Sequence, residues 1–135
     1  MPDPLPIQTV HHIARVTHDL DASLAFYRDV LGFRPIQRPN FSFPGAWLYN
    51  YGVQIHLIAT AKGRPREREL ETRADHVALH VADVEPVEAL LKAHGIPYRR
   101  NYVADTDVVQ IFFLDPDGNH IEIGTYPPAR EMSDD

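Results

Sequence analysis

Residues 114–123, LDPDGNHIEI, end one strand, turn tightly and begin the next. Pro116 fixes φ, and Asp117-Gly118 supplies a residue that tolerates positive φ, so the stretch carries a hairpin signal. In the second strand Glu122 stands between Ile121 and Ile123 and therefore points to the face opposite theirs. That face is either solvent, or a cavity in which the charge needs a partner. Whether other residues aim at the same place has to be read from the rest of the chain.

Working outward from residue 114, 108–114 and 96–103 read as strands. Before them a helix capped by Asp83 carries Val84, Val87, Leu90 and Leu91 and ends at Gly95. Residues 75–81 form the strand that opens this half. Residues 60–74 (TAKGRPRERELETRA) are polar and aperiodic, and read as a linker whose arginines Arg64, Arg66 and Arg68 are a solvated loop or an anion-binding rim.

The N-terminal half repeats the pattern. Residues 9–17 read as a strand, and Asp19 or Asp21 caps a helix with the stripe Leu20, Leu24, Tyr27 and Leu31 that Gly32 ends. Residues 33–38 are a short strand and PNFSFPG a loop. Residues 46–50 and 52–58 make a hairpin around Tyr51-Gly52. Residues 1–8, with three prolines, form an extended arm, and the tail from Tyr126 is loose.

Spacing shows the two halves to be one unit used twice. His12 precedes Asp19 by seven residues and His76 precedes Asp83 by seven; His56 follows Gly52 by four and Glu122 follows Gly118 by four. The repeat superimposes His12 on His76 and His56 on Glu122. Each half thus offers one histidine from its first strand and one metal-capable residue from its last. Taken singly, these are ordinary half-buried or solvated side chains. Taken at repeat-equivalent positions, three imidazoles and a carboxylate suit one divalent ion: zinc, nickel, cobalt, iron or manganese. Strand alternation sends His11 to the opposite face from His12. His18, His80, His94 and His120 lack metal-binding repeat partners and are read as surface or structural; Arg15, three residues beyond His12, faces the helix or a substrate and as a single arginine is read as structural. Trp47 and Tyr49 lie on a strand beside that of His56, as core or as a pocket wall.

Composition narrows the class. The 135 residues suffice for one domain, with 44% apolar and 24% charged residues, and a net charge of −6 argues against nucleic-acid and anionic-membrane binding. No apolar run approaches the roughly 20 residues of a membrane span, and no signal peptide is expected. The chain has no cysteine, which excludes disulfides and thiolate metal sites and accords with a cytoplasmic protein.

VHHIARVTHDLDASLAFYRDVLGF, GAWLYNYGVQIHLI, DHVALHV and FFLDPDGNHIEI resemble, in order and over residues 9–125, the vicinal oxygen chelate superfamily of glyoxalase I, methylmalonyl-CoA epimerase, thiol transferases, extradiol dioxygenases and bleomycin-resistance proteins. The resemblance is nearest to small glyoxalase-I-like proteins. It implies an α+β fold of two tandem βαβββ modules (9–60 and 75–125, joined by 61–74) forming a curved mixed-sheet cleft. It also implies a homodimer with the site shared between chains. His12, His56, His76 and Glu122 fall on the family's four ligand positions. Two substrate oxygens chelate the ion, and Glu122 is the ligand suited to move a proton. The expected activity is that of a lyase or isomerase acting on a small α-oxo-aldehyde adduct, with a thiol adduct as substrate. The alternatives are an epimerase, an extradiol-type dioxygenase or a non-catalytic ligand-binding protein. Two departures count against glutathione as the thiol: His56 replaces a glutamate of bacterial glyoxalase I, and Thr60 replaces its glutathione-holding asparagine.

Overall fold

The computed structural model describes residues 1–61 and 69–132. It divides into two compact units, Met1–Pro65 and Arg66–Asp135. The first contains β1 (His12–Thr17), α1 (Leu20–Ala25), a π-helical turn (Phe26–Val30), β2 (Arg34–Ile36), β3 (Gly45–Asn50) and β4 (Val53–Ala59). The second contains β5 (His76–His80), α2 (Glu85–Ala93), β6 (Arg99–Val103), β7 (Val108–Leu114) and β8 (His120–Gly124). Each is a βαβββ module of α+β class with a four-stranded mixed sheet, ordered β1-β4-β3-β2 and β5-β8-β7-β6. The first strand pairs parallel to the last, and the rest of the sheet is antiparallel. In both modules the last strand lies inside the sheet, flanked by the first and third.

Local chemistry explains the boundaries. Asp19 caps α1 by accepting from Ala22 N at 3.0 Å. The helix expected to run unbroken to Leu31 instead widens into the π turn, with Leu31 N donating to Phe26 O at 3.2 Å. The wider turn keeps the adjacent Phe26 and Tyr27, and also Leu31, buried. Tyr51 (φ 54) and Gly52 (φ 77) form the two-residue hairpin loop, both in the left-handed region that a primed turn needs. In the loop after β7, buried Asp115 accepts from Asp117 N, Asn119 N and Asn119 Nδ2 at 3.0, 2.8 and 2.8 Å, and Gly118 takes φ 83. The turn spans five residues, and its carboxylate does the closing.

Four strands are shorter than the sequence pattern predicts, β5 by one residue at each end (76–80 rather than 75–81). β1 begins at His12 rather than residue 9, because its partner β4 starts only after the Tyr51-Gly52 turn. β2 loses residue 33, whose N–H closes the preceding helix on Tyr27 O at 2.9 Å, and ends before Arg38, whose side chain turns to the Phe43 carbonyl. β6 starts at Arg99 rather than residue 96. Ile96 N donates to Leu91 O at 2.9 Å in the helix-ending motif around Gly95, and Pro97 has no N–H to donate. The cap of α2 falls on Val84 rather than Asp83; Val84 and Leu91 are buried but Leu90 is exposed, being rotated about 100° from Leu91. Residues 62–68 of the expected linker, with Arg64, Arg66 and Arg68, lie outside the described residues.

The first unit packs Tyr27, Phe33, Leu48, Ile55 and Leu57, and the second packs Leu91, Ile111, Phe113 and Ile121. Among the described residues no helix is long and apolar enough to cross a membrane.

Candidate metal centre

In the second unit β8 carries Glu122 directly between β5 and β7, opposite Ala78 and Phe112. Its flanking Ile121 and Ile123 are buried, and Glu122 itself is only 5% exposed, so its face is not open solvent. A buried carboxylate needs partners. Tyr126 O–H donates a short hydrogen bond to Oε2, Gln110 Nε2 approaches Oε1 at 3.4 Å, and His76 Nε2 lies 3.5 Å from Oε1. Burial, then the bond to Glu122 and its charge, push the Tyr126 hydroxyl far up from its ordinary value. Tyr126 therefore stays protonated and acts as donor.

The His76 ring is oriented from behind. Its Nδ1 lies 2.7 Å from the Ala74 carbonyl, which can only accept, so Nδ1 carries the proton. In the neutral ring Nε2 then presents a lone pair toward Glu122 Oε1. In that state two lone-pair atoms face each other across 3.5 Å, a spacing that suits a shared cation. Donors about 2.1 Å from one ion lie at most about 4.2 Å apart, and this pair satisfies that limit. A ligating histidine whose other nitrogen is tied to a backbone carbonyl is the arrangement a metal site uses.

In the first unit His56 occupies the register that Glu122 has in the second, with Ala14 opposite it as Ala78 is opposite Glu122. Its ring is stacked on both sides. His12 lies at 4.0 Å and 10° on one side, Trp47 at 4.0 Å and 6° on the other. His56 Nε2 meets Gln54 Oε1 at 2.8 Å. Burial, then the neighbouring His12 and His11, lower the His56 pKa from its ordinary 6.5, so the ring is held neutral as a ligand must be.

The structure thus brings His12 to His56 and His76 to Glu122, each within its own unit. Among the described residues no group of three or more His, Cys, Asp or Glu side chains gathers in a form that could hold an ion. Residue chemistry fits a divalent ion in both pairs.

Two sequence expectations need correction. His11 is not turned to the opposite face. It precedes β1, so strand alternation does not govern it, and its Nδ1 lies 2.9 Å from His12 Nδ1. Tyr126 is not part of a loose tail: besides its bond to Glu122, its N–H donates to His80 Nδ1 at 3.0 Å. Nothing in the stretch GTYPPAR marks that tyrosine. Gln110 and Gln54 are likewise unmarked in the sequence, because amides on strands carry no spacing signal. His120 is buried at 3% exposure, receives Glu71 N on Nε2 at 3.0 Å and stands opposite His76 in the ladder, a structural histidine.

The sequence matches the family described as the Glyoxalase/Bleomycin resistance protein/Dioxygenase superfamily over residues 9–123. It is 36% identical over 126 residues to Glyoxylase I 4 of Arabidopsis thaliana, covering 90% of this chain and 72% of that protein. It is 30% identical over 135 residues to a lactoylglutathione lyase of Haemophilus influenzae, covering 86% of this chain and 90% of that one. Among solved structures, a glyoxalase/dioxygenase from Nostoc punctiforme matches with a TM-score of 0.73 at 24% identity, covering 95% of this chain and 97% of that one. That last likeness speaks for the fold alone.

Proposed function

The chain belongs to the glyoxalase/bleomycin resistance protein/dioxygenase superfamily, and from that premise we propose that it is a metal-dependent lyase or isomerase of the glyoxalase I type. In this reading His12, His56, His76 and Glu122 serve one divalent ion, and the substrate is a small α-oxo-aldehyde adduct, here of a thiol. The observation that carries the reading is the His76–Glu122 pair, with Nδ1 committed to Ala74 and the two lone-pair atoms facing each other at 3.5 Å.

A divalent ion held there would supply Lewis-acid stabilisation of a developing oxyanion. The rest is done by this chain's own side chains. Glu122 takes a proton from one substrate carbon and returns it to the neighbouring carbon, so the isomerisation consumes no oxidant or reductant. Tyr126 donates to Oε2 and so fixes the orientation of the carboxylate. Trp47 and His12 keep the His56 ring from turning. The same reading takes the protein as a homodimer: among the described residues β1, β2, β5 and β6 each end their sheet with an unpaired edge, which a second chain can cover.

Protein purified without a histidine tag and reconstituted with zinc, nickel, cobalt, iron or manganese should hold about one ion per chain. His76→Ala should lose most of it. Glu122→Gln should keep the fold and much of the metal but lose roughly 10²–10⁴ in turnover of methylglyoxal thiohemiacetals, assayed with glutathione and with other thiols. No metal uptake by the wild type would overturn the reading, and a loaded wild type with no turnover would leave a binding protein. Light scattering at micromolar concentration should give the mass of a dimer.

A further inference from the structure

The loop between β2 and β3 carries an aromatic and cationic cluster that the proposed chemistry does not use. Phe41 and Phe43 are both exposed, and their rings stack at 5.3 Å and 13°. The Arg38 guanidinium carbon lies 4.9 Å from the Phe41 ring centre and 5.0 Å from that of Phe43. Arg38 Nη2 donates to the Phe43 carbonyl at 2.8 Å, while buried Nε has no hydrogen-bond partner. Among the described residues no carboxylate pairs with it. An arginine has five N–H donors, so this one keeps most of its donors unused.

The cluster is built into the sheet rather than draped on it. Gly45 opens β3 beneath the guanidinium, and a Cβ there would stand 3.0 Å from Arg38 Nη2 and 2.4 Å from the Leu57 carbonyl. The Leu57 carbonyl closes the position to any side chain, and the guanidinium lies in the space this leaves. Phe41 in turn reaches Trp47 at 6.0 Å, and Trp47 stacks on His56. An unbroken run of rings therefore leads from the exposed phenylalanines to a candidate ligand, all within the first unit.

We propose that Arg38, Phe41, Phe43 and Trp47 form a recognition arm that binds an organic carboxylate bearing a flat apolar group, the carboxylate on Arg38 and the flat group against the rings. Its role as the substrate's anchor rests on the reading of His56 as a ligand; the binding itself does not. A planar guanidinium without a counter-ion takes a carboxylate in two-pronged fashion. Exposed stacked rings contribute affinity for a flat body, and a short polar adduct alone would not use them.

Trp47 is the chain's sole tryptophan, so its fluorescence reports on this arm directly. Full-length protein, zinc-loaded and EDTA-treated, is titrated with phenylacetate, with the neutral isostere phenylacetamide and with acetate. Phenylacetate should change the emission saturably in both forms, with the other two at least about tenfold weaker. Arg38→Gln should erase the preference for phenylacetate over its amide, Arg38→Lys should restore part of it, and Phe41→Ala should weaken both phenyl compounds alike. Circular dichroism confirms that each variant is folded. Absence of saturable binding in both forms, acetate matching phenylacetate, or an unchanged preference in Arg38→Gln would each overturn the proposal. So would emission that varies with protein concentration alone, since it would assign the face to a second copy of the chain. Zinc uptake without phenylacetate binding defeats the arm only; phenylacetate binding without zinc uptake defeats the metal reading only.

Discussion

Tyr126→Phe removes one hydroxyl and tests whether Glu122 depends on it. The ring itself is anchored independently. It lies over Gly124, where a Cβ would come within 2.9 Å of Tyr126 Cζ and Oη, and its backbone N–H is held by His80. Phenylalanine keeps both features and loses only the donor to Oε2. A hydrogen bond to an ionised group is worth about 1.5–3 kcal/mol, and its loss leaves a carboxylate that is 5% exposed short of a partner. Two facts place the cost in the lower part of that range. Tyr126 is only half-buried, so water can reach part of the vacated position, and Gln110 still approaches the other oxygen. The expected loss is about 1.5–2 kcal/mol, read from urea unfolding in EDTA at neutral pH. Glu122→Gln with Tyr126→Phe completes a cycle whose coupling energy should reach about 1 kcal/mol. A single variant within about 0.5 kcal/mol of wild type, with no coupling, would refute the idea that Tyr126 supports the buried carboxylate.

Asp115→Ala should cost about 1.5–3 kcal/mol in the same assay, because three N–H groups of the 115–119 loop lose their shared acceptor; early proteolysis in that loop is the second readout, and an unaltered midpoint counts against the closure described. Gly52→Ala should cost about 1–2 kcal/mol from backbone strain alone, since its Cβ would meet nothing within 4 Å at φ 77, and Gly52→Asn should cost less. Metal-free protein should lose stability as pH falls. His56 has a folded pKa below its unfolded 6.5, so the unfolded chain binds the proton first; the contribution is complete above about pH 6.5 and disappears as pH drops through the lowered folded value. His56→Gln should flatten that part of the profile between pH 7 and pH 5, and equal slopes in both proteins would contradict it.

Residue spacing made the repeat legible because each half must place the same elements at the same intervals. The equal strand orders, and the shared register of His56 and Glu122, follow from it. The turn at Tyr51-Gly52, the cap at Asp19 and the helix stop at Gly95 were legible for the same kind of reason. Each rests on the backbone conformation or side-chain oxygen of one or two neighbouring residues. Strand ends were less so, because a ladder stops where its partner stops, and the partner lies elsewhere in the chain.

The candidate ligands were visible as types at matched positions, but their surroundings were not. That Glu122 is buried rather than solvated depends on β8 lying between β5 and β7, and alternation along one strand allows either outcome. Tyr126 reaches Glu122 because the chain beyond β8 is held against His80, and His11 joins His12 because it lies just outside the ladder. The Phe41, Phe43 and Arg38 cluster read as a plain loop, since only the seat over Gly45 shows the guanidinium pressed against both rings. Local sequence determined the repeated βαβββ units and the residue types offered at each register, through periodicity and turn chemistry that act over a few residues. Tertiary structure decided which of those side chains are buried, paired and oriented, because burial and hydrogen-bond partnership are properties of residues brought together from distant parts of the chain.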